Sequence, residues 1–118
     1  MRMGPYLSEL LPGDRVPPRL SRLKVVRRKR APGRALRLRT SERTRLVIDV
    51  RKARTGSRRY RRIRVVRRRI AAGTRRVALG RLRGAGRYRL IVSGRDAAGN
   101  QTAKKRVHFR VRRGAGTI

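Results

Sequence analysis

Cysteine and tryptophan are absent from this 118-residue chain, its aromatic residues are three tyrosines and one phenylalanine, and it carries only five carboxylate side chains. Without cysteine there is neither a disulfide nor a thiolate metal site to brace the fold, so packing alone must hold it. The five acids, Glu9, Asp14, Glu42, Asp49 and Asp96, are scattered along the chain, with a single histidine and no thiol to act beside them. No nucleophile–base or acid–base constellation can be assembled from that set, and the sequence reads as a non-enzyme with no cofactor and no metal. No apolar run approaches the roughly 20 residues needed to cross a bilayer as a helix. Near the N-terminus the one apolar stretch, residues 6 to 11, is broken by Ser8 and Glu9. It is too short for the apolar region of a secretion signal.

What the chain has in excess is arginine. Lysine and arginine total 38, of which 33 are arginine, and the formal net charge is +33. The hydrophobic fraction, 37%, lies below the roughly 45–50% of ordinary globular chains, a composition that by itself suggests disorder or a polyanionic partner. The order of the residues argues for a fold. Tyr88, Leu90 and Val92 alternate with Arg87, Arg89 and Ser93, and Val107, Phe109 and Val111 alternate with Arg106, His108 and Arg110. That period of two solvates one face of a strand and leaves the other dry. Asp96, Ala97, Ala98, Gly99 and Asn100 between them are turn formers, so the last quarter is expected to be a hairpin.

The same reading runs along the chain. Residues 1–19 hold four of the five prolines and show no periodicity, which predicts a linker. Strands are expected at 20–27, at 35–40, at 44–51 with Leu46, Ile48 and Val50 inward, at 60–66, around Val77 and Leu79, and on the two arms of the closing hairpin. In the fourth, Ile63 and Val65 share a face that strict alternation denies to Tyr60, which calls for a bulge or strong twist. Loops are expected around Thr55, Gly56 and Ser57 and at residues 71–73. Seven short strands without a helix predict an all-β, antiparallel, seven-stranded sandwich over residues 20–112, followed by a flexible tail at 113–118. The predicted core joins Leu36, Leu38, Leu46, Ile48, Val50, Val77, Leu79, Tyr88, Leu90, Val92, Val107, Phe109 and Val111.

Leu82, Gly86, Tyr88 and Leu90 stand at the spacing of the tyrosine corner, and the turn from Asp96 to Asn100 is followed by a β-branched and aromatic strand. Together with Asp14, Pro18, Leu20 and Leu23 in the opening segment, these residues resemble bacterial immunoglobulin-like and fibronectin type III-like modules. Such modules occur at the C-terminal end of actinobacterial secreted and surface proteins. The resemblance spans about residues 14–112 and lacks the cysteine pair and tryptophan of antibody domains. It implies a non-enzymatic spacer, adhesion or accessory domain, outside the cell or on its surface, with further domains upstream. It also implies a structural role for Tyr88, Gly86, Asp96, Gly99 and Asn100, with the Tyr88 hydroxyl bonded to backbone just upstream.

Candidate chemistry is sparse. His108 reads as a surface residue, since no second histidine or cysteine can complete a zinc set. Asp49 reads as a local charge partner. Asp96 and Asn100 read as a hydrogen-bonded turn, because calcium needs six or more oxygens and neighbouring acids are missing. Gly84, Ala85 and Gly86 precede a strand and do not open a helix, so the phosphate-loop mechanism fails. The remaining candidate is the run Arg58, Arg59, Arg61, Arg62, Arg64, Arg67, Arg68 and Arg69, eight arginines in twelve residues. Guanidinium groups pair bidentately with phosphate, sulfate or carboxylate, so the run is a candidate contact for a non-specific polyanion, either a cell-wall polymer or nucleic acid. Placed in the cytoplasm, the same charge would instead describe an arginine-rich nucleic-acid-binding protein of ribosomal or nucleoid type.

Overall fold

The structure, a computed structural model, describes residues 17–28 and 33–112. Seven strands and no helix appear among them: β1 (Leu20–Arg27), β2 (Arg34–Thr40), β3 (Thr44–Ala53), β4 (Tyr60–Ile70), β5 (Gly73–Gly80), β6 (Gly86–Arg95) and β7 (Lys105–Val111). Every pairing is antiparallel. One sheet has the order β1-β2-β5 and the other β4-β3-β6-β7, so the chain changes sheet three times, after β2, β4 and β5. Most of the predicted linker and the whole of the predicted tail lie outside the described residues. Within Pro17 to Arg19, Pro18 is buried, and the Arg19 N–H donates to Ser41 Oγ at 2.8 Å while its carbonyl accepts from the Ser41 N–H.

Alternation decides what is buried. On β3 the side chains of Leu46, Ile48 and Val50 are almost wholly inaccessible, while the alternate residues Val47, Asp49 and Arg51 are half-buried on the outer face. Leu36 and Leu38 of β2, Val77 and Leu79 of β5, and Leu90 and Val92 of β6 meet them in one core. Leu23, Val25, Val107 and Phe109 are partly buried against it. Burying each such leucine or isoleucine contributes about 1.5–3 kcal/mol, and this is the main force pressing the two sheets together.

The expected irregularity in β4 is a bulge centred on Ile63. Val50 faces Arg64 and Arg51 faces Arg62, which leaves Ile63 without a partner across the ladder and 45% exposed. The extra residue brings Tyr60, Arg62 and Val65 to the outer face and turns Val66 into the core, where it is 7% exposed. Strand ends also run further than the spacing suggests: β4 continues to Ile70, and only Ala71 and Ala72 separate it from β5. A second register shift lies in β1 between Ser21 and Lys24, where Arg22 takes a left-handed φ of 54°.

The sheet changes are fastened by side chains. Thr40 and Thr44 flank the first and are buried; their hydroxyls lie 2.9 Å apart and share two protons between each other and the Glu42 carbonyl. At the second, Arg75 donates to the Ala71 and Ala72 carbonyls. At the third, carbonyls of the segment from Leu79 to Gly84 accept from three groups of the four-stranded sheet, Arg64, Lys52 and Tyr88.

Candidate anion-contact residues

The eight arginines of the run 58–69 do not form one patch, because β4 is an edge strand whose successive side chains diverge. Arg58 and Arg59 precede the strand, where the Arg59 N–H donates to Ser57 Oγ. Arg62, Arg67 and Arg69 fall on the outer face, whereas Arg64 and Arg68 take the inward parity of Val66. Arg62 is spent on Asp49, donating from Nε to Oδ1 at 3.0 Å and from Nη2 to Oδ2 at 3.1 Å. Arg64 reaches the other sheet, where Nη1 donates to the Leu79 carbonyl at 2.6 Å and Nη2 to that of Arg81 at 3.1 Å. Gly80 permits this approach: it sits at φ +80°, and a Cβ there would collide with the Arg64 guanidinium. Arg68 bonds the carbonyl of Arg67. Arg58, Arg59, Arg61, Arg67 and Arg69 are exposed, with no side-chain partner among the described residues.

Register assembles a different and wider cationic surface. Across the outer face of the four-stranded sheet, Arg69, Arg45 and Arg95 lie in one row, and Arg62, Arg51, Arg89 and His108 in another. Arg67 lies between the rows, and Arg106, Arg87 and Arg110 extend the face along β6 and β7. Asp49 is the one carboxylate on it. Each strand supplies only two or three of these arginines, spaced by even numbers of residues except across the bulge in β4. The only sequence signal for this surface is therefore the period of two on four separate strands; no run marks it. At one end of the face Arg89 stacks over the Tyr60 ring at 4.1 Å and donates from Nε to His108 Nε2 at 2.9 Å, while His108 meets Tyr60 edge-on.

Electrostatics around the acids are local. Burial pushes the Asp49 carboxyl up, but hydrogen bonds from Arg62 and Arg51 and the charges of both outweigh it and hold the group below the usual carboxylate range. The hydrogen bond and charge of Asp49 in turn push Arg62 up. Asp96 is held low first by the side chain of Asn100, whose Nδ2 donates to Oδ2 at 3.0 Å, with the Asn100 N–H donating to Oδ1 at 2.8 Å. The Gly99 N–H closes the turn on the Asp96 carbonyl, and Gly99 takes the φ of +91° that the return requires. Both carboxylate oxygens of Asp96 are therefore engaged in the turn.

Tyr88 is fully buried and stacked on Phe109 at 5.3 Å between ring centroids. Its hydroxyl lies 2.7 Å from the Arg83 carbonyl and 2.8 Å from that of Gly84, so one proton is shared between two acceptors. Burial pushes the phenol up, and the Arg64 charge offsets part of that. Gly86 opens β6 at φ +147°, with the Lys52 stem packed against it. No group of three or more histidine, cysteine or acidic residues that could hold a metal occurs among the described residues. No family model, no curated protein and no solved structure matches the chain.

Proposed function

We propose that this chain is a non-catalytic β-sandwich module of the immunoglobulin-like or fibronectin type III-like kind, serving a secreted or cell-surface protein as an accessory or adhesion domain that engages anionic polymers. One observation carries the reading. The buried Tyr88 hydroxyl clasps the backbone of Arg83 and Gly84 at the last sheet change, the geometry of a tyrosine corner, within a sandwich ordered β1-β2-β5 and β4-β3-β6-β7. Constant-type immunoglobulin domains keep the fourth strand with the first sheet. Here β4 pairs with β3, which favours the fibronectin-like variant.

The polymer-binding part of the proposal rests on the outer arginine face, whose only carboxylate is already paired. Bases are poorly served on that face, because Arg89 covers the Tyr60 ring and so occupies a surface on which a base would stack. Brief protease treatment of intact source cells tests the placement. A surface module is degraded while cytoplasmic markers survive, and a protected chain that co-sediments with ribosomes or nucleoid overturns the reading.

A further inference from the structure

At one end of the sandwich, where β3 leaves for the turn before β4 and β6 begins beside the end of β7, the surface is concave. An open groove of about 500 Å³ lies there, with Ala53 and Gly86 among its small residues and Arg54, Arg87, Arg110 and Arg112 around it. No carboxylate lines it. The nearest acid along β3, Asp49, already holds Arg51 and Arg62.

The arginines are not equivalent. Arg87 is fixed, because Nη2 donates to the Ser57 carbonyl at 2.5 Å and its guanidinium lies 6.0 Å from the Tyr60 ring centroid. Arg54, Arg110 and Arg112 are exposed, and their guanidinium groups have no hydrogen-bond or ion-pair partner among the described residues. One oriented guanidinium beside three uncommitted ones can surround a small anion from several sides, and pre-orienting Arg87 lowers the ordering cost of binding. Each planar fork matches two oxygens of a tetrahedral oxyanion. Small side chains at Ala53 and Gly86 leave room for that anion, and the groove has no aromatic residue on which a base could stack.

We propose that this groove is a binding site for a phosphate or sulfate ester carried on a compact polyol or sugar. The proposal deepens the polyanion-binding reading and rests on it: the groove would seat one charged unit of the polymer while the outer face attracts the rest.

The test is calorimetric titration of the full chain with inorganic pyrophosphate at about 0.15 M salt, where screening confines unfocused attraction to about 8 Å. Glycerol phosphate and a sulfated disaccharide serve as separate arms that tell phosphate from sulfate. Saturable single-site binding is expected, weakened about tenfold or more in Arg54→Gln/Arg110→Gln. A control, Arg37→Gln/Arg76→Gln, removes the same charge from the three-stranded sheet and should change affinity by less than about threefold. All four arginines are exposed, so the melting temperature of both variants should stay near the parent's. Equal loss in the two variants, or no saturable binding, overturns the groove. If the chain then still holds long polyanions, the broader reading stands without it; if it does not, both fall together.

Discussion

Arg64 of β4 donates to the backbone carbonyl of Leu79 on β5 across 2.6 Å, and so ties the edge of one sheet to the other. The sequence places this residue among eight surface arginines, yet its guanidinium is committed to two carbonyls at a sheet change. Its neighbours Arg67 and Arg69 are exposed and have no side-chain partner among the described residues.

Arg64→Gln should therefore cost about 1.5–3 kcal/mol of folding stability, the range for hydrogen bonds to a charged donor. Arg67→Gln and Arg69→Gln should stay within about 0.5 kcal/mol of the parent. Urea denaturation of the three variants separates them.

Tyr88→Phe keeps the ring on Phe109 and removes only the hydroxyl, leaving the Arg83 and Gly84 carbonyls without their shared donor. A loss of about 1–3 kcal/mol is expected, read from denaturant midpoints. Tyr88→Gly removes the ring as well and should unfold the domain; an unchanged thermal melt would refute the role given to this side chain.

In the core, Ile48→Ala and Leu38→Ala should each cost about 2–5 kcal/mol, because both side chains are inaccessible and sit between two sheets that cannot fully close on the cavity. Ile63→Ala, at the bulge, should cost far less. Equal effects at the three positions would contradict the assignment of inner and outer faces.

Acid should weaken the fold through Asp49 and Asp96, both held below their ordinary range in the folded state. As pH falls the unfolded chain takes up these protons first, so stability present above about pH 4 is lost as pH drops through the lower folded values. Asp49→Asn should flatten that limb in a series of melts against pH. Tyr88 acts with the opposite sign at the alkaline end. Its folded phenol is raised, so its contribution is complete below about pH 10 and fades as pH climbs through the folded value. In Tyr88→Phe the alkaline limb should be shallower.

Period-two alternation made much of this fold legible, because a half-buried strand writes its inner face into every second residue. Leu46, Ile48 and Val50 show it on β3, and Leu90 and Val92 on β6. It faltered on β4, where the bulge at Ile63 changes the parity and sends Val66 to the core. The candidate site was harder to read for a related reason. Runs of arginine along one strand are conspicuous in a sequence, whereas a surface assembled from Arg45, Arg67, Arg89 and Arg106 on four strands exists only after register is set. Neither Arg64 nor Arg62 differs in sequence from its neighbours; contact with Leu79 in one case and Asp49 in the other removes them from the pool available to a ligand.

Base-independent binding tests the functional account most directly. The full chain is titrated with poly(glycerol phosphate) and with mixed-sequence single-stranded DNA of equal phosphate number, at about 0.3 M salt, where non-specific attraction to phosphates is strongly reduced. Affinities within about threefold of each other, with similar salt slopes, are expected of a face that reads phosphate alone. Tighter binding to DNA by about tenfold or more, with a preference among sequences, would contradict the account.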